Sequence, residues 1–348
     1  MTARSAVGTF VRSVALLLLL AALCAAALKW FHDREEQALL APMGLTEAFE
    51  FTVAPGSSFS RVAEEMAQRG LVSSPRFFSW YARRAGKASA VKAGTYALQP
   101  GMTPLDALDV FVAGLEVQRP FTIVEGWSFA DLRAALARSP HLEQTLQDLD
   151  AAQVMAALGR PGRHPEGMFL ADTYLFPPGS SDASVLRRAL AALESALDGA
   201  WQTRAADLPL DDADQGLILA SIIEKETADP AERPRISGVF VERLRLGMLL
   251  QTDPTVIYGL GVAFDGDLRR RDLRTDTPYN TYTRKGLPPT PIAMVGLDAI
   301  RAAFNPRVDG SLFFVSRGDG SHQFSRTYDE HRRAVQRFQL RARRAPGS

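Results

Sequence analysis

Glu226 is the residue in this sequence best placed to do acid–base chemistry. At helical spacing Leu219, Ile222, Ile223 and Glu226 fall on one face. A carboxylic acid at the end of an apolar stripe is partly desolvated, which disfavours its charged form and raises its pKa. A general acid working near neutral pH needs such a shift. Glu224 stands two positions away and points elsewhere, with Ala220 and Ala228 as its neighbours. The two are therefore not a paired-carboxylate site on one helix face. Spacing alone leaves a second reading open, in which two glutamates flanking Lys225 near a helix end are solvated surface.

Two segments further on carry the groups a sugar-binding groove would need. Residues 251–258 read QTDPTVIY and residues 276–291 read DTPYNTYTRKGLPPTP. Gln251, Asp253, Tyr258, Tyr279, Asn280 and Tyr282 supply amides, a carboxylate, hydroxyls and rings. Hydrogen-bonding groups suit sugar hydroxyls and rings suit the apolar sugar faces. Gln251 and Asn280 are candidates for N-acetyl groups. Asp253 has a structural alternative, capping the turn at Pro254, and the tyrosines have another, filling a core beneath loops. There is no Gly-rich phosphate loop, no serine elbow and no Cys–His arrangement. One cysteine and five histidines in 348 residues do not suggest a multi-ligand metal site, and one cysteine cannot form a disulfide within the chain. No cofactor is expected. Forty Lys and Arg against 39 Asp and Glu argue against a nucleic-acid binder, which needs a basic surface.

These groups need elements to hold them. Helical patterns cover Ser184 to Arg204, Asp214 to Thr227 and Ile236 to Leu246, and the second reads as a buried central helix. Thr255 to Tyr258 fits a strand or a turn, Leu312 to Val315 a strand, and Thr327 to Arg344 a basic terminal helix. Residues 159–179 read mainly as loop, with aromatics that either pack against a domain or wall a groove. Upstream the sequence echoes itself: FTVAPGSSFS begins at Phe51 and FTIVEGWSFA at Phe121. Each copy predicts a short strand, a Gly turn, a Ser cap and an amphipathic helix. A looser version runs from Thr95 through Thr103 into a helix from Pro104, and a further helix is expected from Pro75 to Arg84. At the amino terminus, Ser13 to Leu28 carries no charge. A hydrocarbon core wants about 20 apolar residues, which Phe10, Val11, Trp30 and Phe31 help to supply. An uncleaved anchor is favoured over a signal peptide ending near the small residues Ala25 to Ala27. Cys24 lies inside this run, and bulky Leu23 before it argues against lipoprotein processing.

At the level of motifs the chain resembles the YceG-like endolytic murein transglycosylases. The resemblance rests on LASIIEKET from Leu219 and GVFVERLRLGMLLQTDPTVIYGLG from Gly238. It extends through DTPYNTYTRKGLPPTPIA from Asp276, DGSHQFSRTYDEH from Asp319 and AGTY from Ala93. It implies an α+β protein with a single N-terminal transmembrane helix, a small LysM-like β/α module and a larger, mostly helical α+β catalytic domain. The implied layout is a cytoplasmic tail over 1–12, an anchor over 13–31 and LysM-like and repeated β-turn-α modules over 46–137. A connecting loop and helical region over 138–212 and a catalytic core over 213–345 complete it. It also implies a single-pass inner-membrane protein with a periplasmic body acting on peptidoglycan glycan strands, with cell-wall synthases of the elongation machinery as partners. The implied cut lies between N-acetylmuramic acid and N-acetylglucosamine and leaves a 1,6-anhydromuramyl end. The family's catalytic glutamate is the second of Glu-Lys-Glu, which is Glu226. Glu242, Met294 and Val295 depart from the family pattern. Two other readings stay open: a hydrolase using Glu224, Asp253 or Asp276 as a second carboxylate, and a non-catalytic peptidoglycan-binding scaffold.

Overall fold

The computed structural model describes the backbone over residues 3–340 and side chains over 14–339. The side chains of Phe10, Val11 and Arg12, and residues 341–345 of the expected catalytic core, lie outside those described. The chain forms two compact units divided between Gln118 and Arg119. Residues 46–137 therefore straddle the division.

The first unit opens with α1 (Ala3–Leu40), followed by β1 (Phe49–Val53), α2 (Phe59–Gln68), α3 (Pro75–Arg84), β2 (Gly94–Leu98) and α4 (Pro104–Ala113). Residues Val14–Leu40 of α1 are long and apolar enough to cross a membrane. The helix runs past the expected end of the anchor, because the mixed charges after Leu28 are good helix formers, and Leu39 enters the unit's core. Strands β1 and β2 pair antiparallel, with Phe51 opposite Tyr96. Alternate residues Phe51 and Val53 face inward onto Phe78, Leu108 and Phe111. Ser58 caps α2, and Thr103 with Asp106 forms a reciprocal capping box on α4.

The second unit begins with β3 (Arg119–Thr122), α5 (Phe129–Ala137), β4 (Leu142–Glu143), α6 (Ala151–Ala157), β5 (Thr173–Phe176) and β6 (Ser180–Ser181). Four helices follow: α7 (Asp182–Gln202), α8 (Ala213–Glu226), α9 (Arg233–Arg245) and α10 (Asp253–Leu260). A 3-10 turn (Gly261–Ala263), α11 (Arg270–Arg274), α12 (Leu297–Phe304) and the hairpin β7 (Phe313–Ser316) and β8 (His322–Ser325) come next. Helix α13 (Tyr328–Val335) runs into a π turn (Gln336–Leu340). The buried middle of α8 sits at the centre, packed on α7, α9 and α12. Gly216 lets Phe304 of α12 lie where a β-carbon would clash at 2.1 Å.

The echo is deeper in three dimensions than in one. Strand β3 pairs antiparallel with β5, Phe121 opposite Tyr174, as β1 does with β2. In both pairs threonine hydroxyls meet across the strands, Thr52 with Thr95 at 3.0 Å and Thr122 with Thr173 at 2.9 Å. In both, a tyrosine hydroxyl donates to the carbonyl four residues back, Tyr96 to Lys92 and Tyr174 to Leu170. Gly56 and Gly126 both make their turns at positive φ. The first copy is strand, helix, helix, strand, and the second keeps that order with the two-residue strand β4 set between its helices.

One expectation is corrected and one open alternative is decided. Residues 255–258 are neither strand nor turn but part of α10. Pro254 fits its first turn, and the Thr255 hydroxyl donates to the Thr252 carbonyl, which offsets the β-branched run. Residues 159–179 are mainly loop, as expected, with β5 over Thr173–Phe176 inside them. Their aromatics Phe169, Tyr174 and Phe176 are buried in the core and do not wall a groove.

Candidate active site

The last residue of α8 is Glu226, and it opens into a cavity of about 480 Å³. The helix stops there because Thr227 turns to an extended conformation. Glu226 is half-buried. The Thr252 hydroxyl donates a hydrogen bond to its Oε1, so the acidic proton belongs on Oε2. Thr252 is itself braced. Its N–H donates to the Thr281 hydroxyl, and that hydroxyl meets Thr255 at 2.9 Å. All three threonines are buried. Burial pushes Glu226 up to about 6, and Asp253 adds to the rise. Thr252, His322 and Arg243 oppose it by favouring the ionised form.

The cavity brings together four of the seven residues expected from sequence: Glu226, Gln251, Asp253 and Tyr282. Gln251 sits at φ 51°, a left-handed conformation rare outside glycine. That turn takes the chain from Leu250 into α10 and leaves the Gln251 side chain exposed in the cavity. Asp253 is the first residue of α10 and accepts a hydrogen bond from the Tyr282 hydroxyl. Its N-terminal position and its place in the cavity coexist.

The other three lie elsewhere. Tyr258 and Tyr279 pack edge to face at 4.8 Å. Their hydroxyls are committed to Glu166 and Thr290. Asn280 is fully buried. Its amide nitrogen donates to the carbonyls of Asp272, Leu273 and Thr275, and its oxygen accepts from the Tyr282 N–H. Asn280 therefore holds the loop that presents Tyr282. Asn280→Ala is expected to destabilise the fold by about 1–3 kcal/mol, because buried carbonyls lose their donor; urea denaturation measures this. Unchanged stability would show that water replaces the amide.

Several lining residues escaped the sequence reading. Arg243 is buried, with its guanidinium donating to the carbonyls of Leu250 and Leu312 at 2.7 Å each. It ties the approach to Gln251 onto β7. His322 of β8 is held twice by Glu232: its Nδ1 lies 2.6 Å from Oε2, and its backbone N–H donates to Oε1 at 2.9 Å. Phe313, Tyr328 and His331 add rings, with Phe313 stacked on His331 at 5.2 Å. The signal was present in DGSHQFSRTYDEH, whose histidines and tyrosine carried the resemblance but no proposed contact.

The carboxylates considered as partners for Glu226 separate cleanly. Glu224 is buried away from the cavity, accepting from Arg233 at 2.6 Å and from the Gly296 N–H at 2.9 Å. Asp276 is exposed and forked by Arg284. Only Asp253 of the three lines the cavity. Of the departures from the family pattern, Met294 and Val295 are core residues and Glu242 pairs with Arg245. None of them lines the cavity.

Comparison with known proteins gives one consistent answer. The model of the YceG-like family matches residues 51–337. The endolytic murein transglycosylase of Bacillus subtilis (strain 168) is 31% identical over 304 residues, covering 81% of this chain and 82% of that protein. The endolytic murein transglycosylase of Streptococcus pneumoniae serotype 2 (strain D39 / NCTC 7466) is 27% identical over 314 residues, covering 80% of this chain and 56% of that protein. A 2.6 Å crystal structure of a YceG-like protein from Listeria monocytogenes is 28% identical, with a TM-score of 0.51 over 83% of this chain and 99% of that one.

Proposed function

The chain belongs to the YceG-like family, and on that premise we propose that it is an endolytic peptidoglycan lytic transglycosylase with Glu226 as its catalytic acid and base. The observation that carries the reading is the half-buried Glu226, raised to about 6 and opening into a cavity lined by rings and hydrogen-bonding groups.

The reaction needs one such group. Glu226 Oε2 gives its proton to the glycosidic oxygen between N-acetylmuramic acid and N-acetylglucosamine as the bond to C1 breaks. The carboxylate then takes the proton of the muramyl C6 hydroxyl, whose oxygen bonds to C1. Atoms balance without water, and the product ends in a 1,6-anhydro ring. A pKa near 6 serves both halves, since neither protonation state is out of reach at neutral pH. Arg243 and His322 favour the carboxylate, which is the form needed for the second half. The internal hydroxyl is supplied by the substrate, so proximity takes the place of a second carboxylate. Gln251, Asp253 and Tyr282 offer hydrogen bonds to hydroxyl and N-acetyl groups, and Tyr282, Phe313 and Tyr328 offer ring faces.

In this reading α1 anchors the chain in the inner membrane with the body in the periplasm. The enzyme cuts nascent strands beside the elongation synthases, terminating or releasing them. The strand-helix-helix-strand order of β1, α2, α3 and β2 supports a LysM-like module that holds the strand.

One observation favours a second reading: Asp253 lines the same cavity and could activate water in a hydrolase. Digestion of purified glycan strands by the full chain separates the two. Anhydro products, lighter by one water than reducing ends in the mass spectrum, are expected. Reducing ends would establish the hydrolase, and intact strands would remove both.

A further inference from the structure

The first unit carries a face that the catalytic reading does not use. Arg76, Trp80, Arg83 and Arg84 of α3 are all exposed, and at spacings of four, three and one they share one side of the helix. Phe77 lies beside them, half-buried. No acid occurs in α3. Arg84 sits over the Trp80 ring at 5.7 Å. An exposed tryptophan among arginines is the composition of a membrane interface, where the ring lies at the apolar boundary and the cations reach phosphate.

Its position follows from α1. The His32 ring packs edge to face on both Phe77 and Trp80, with centroids 5.4 and 5.5 Å apart. His32 is four residues beyond Leu28, where the uncharged run ends. At about 1.5 Å per residue it stands roughly 2 to 6 Å outside the hydrocarbon edge, counted from Phe31 or from Leu28. The headgroup region on each side of a bilayer is of similar depth, since a core of about 30 Å grows to about 40–45 Å with its interfaces. A helix touching His32 is thus within that region. The attachment is stiff, because α1 continues unbroken to Leu40 and buries Leu39 in the unit's core. One of the acids on this part of α1, Asp33, is paired there with Lys29 at 2.9 Å.

We propose that the outer face of α3 rests in the lipid headgroups of the membrane that α1 crosses, with Arg76, Arg83 and Arg84 on lipid phosphates and Trp80 at the apolar boundary. This rests on the reading of α1 as a retained anchor. The contact fixes the rotation of the first unit about α1, so the module meets glycan strands close to the bilayer where they are made.

The full chain in vesicles tests it, with Cys24→Ser removing the native thiol and Ser73→Cys carrying a nitroxide just before α3. Vesicles are phosphatidylcholine alone or with a quarter phosphatidylglycerol. The label is expected to be shielded from a water-soluble nickel complex, relative to the same label at Asp298→Cys, and more so with the anionic lipid. Arg76→Glu, Arg83→Glu and Arg84→Glu together should return it to aqueous accessibility, while lysines at the three positions keep it shielded. A label as open to nickel as the Asp298→Cys control in both compositions overturns the proposal. Release of the protein by a carbonate wash would instead remove the anchor on which it rests.

Discussion

Glu226→Gln is expected to lower strand cleavage by about 10³-fold while making the protein more stable above pH 6. The first effect is the loss of the only proton donor and acceptor assigned to the reaction, within the range for positioned general acids. The second follows from linkage. The folded-state pKa of about 6 lies above the ordinary value of 4.5, because burial disfavours the carboxylate. The stability contributed by the protonated form is complete below about 4.5 and is lost as pH rises through 6. A shift of roughly 1.5 units corresponds to about 2 kcal/mol. The glutamine variant never acquires that charge and still accepts the Thr252 hydrogen bond. Its advantage should be absent at pH 4, develop between about 4.5 and 6, and level off above. Thermal melts of both proteins across pH 4–8 measure this. The wild-type rate should fall on the alkaline side of about 6, tenfold per unit where proton donation limits. Near-normal cleavage by Glu226→Gln would remove the residue from the mechanism. Equal stability at pH 8 would remove the desolvation argument.

Arg233→Met is expected to cost about 3–5 kcal/mol in stability. Arg233 and Glu224 are nearly inaccessible, with side-chain exposures of 4% and 3%. Arg233 also reaches Glu125 at 3.0 Å. Removing the guanidinium leaves Glu224 buried beside a second carboxylate, with only the Gly296 N–H in support. Burial already pushes Glu224 upward, with Glu125 adding to the rise, and Arg233 is among the groups holding it down. Urea denaturation should show the loss, and the double change Arg233→Met with Glu224→Leu should recover most of it. Failure to recover would mean that packing, not the unpaired charge, sets the cost. Activity should fall with the single change, since Glu224 fixes the last turn of α8 two residues before Glu226. Lys225 secures the same turn by donating to the Gly126 carbonyl at 3.1 Å.

Much of the local structure was legible. Ser58, Thr103 and Ser128 cap helices where the sequence predicted caps. Helix α3 spans Pro75–Arg84 as expected, and α8 differs from expectation by one residue at each end. At 255–258 a β-branched run is helical because it follows a proline in the first turn of α10. The echo was seen only in its first half. The second strands, GTYAL and TYLF, share only an aligned Thr-Tyr, and their kinship lies in the Tyr96 and Tyr174 hydrogen bonds and in the threonine pairs.

The sequence by itself determined which carboxyl sits at the end of an apolar helical stripe, because 3.6-residue periodicity is a property of the local chain. It likewise determined the caps, the apolar amino-terminal run and the motifs that mark the family. The tertiary structure decided what surrounds that carboxyl. Tyr258, Tyr279 and Asn280 carry the same phenols and amide as Tyr282 and Gln251, yet the first three spend them inside the fold while Tyr282 and Gln251 line the cavity with Asp253. Thr252, Arg243 and His322 reach Glu226 from 17 to 96 residues away along the chain. Burial and electrostatics act through space, and a residue's type does not say whether its hydrogen bonds are already used. That allocation is settled only when the elements pack.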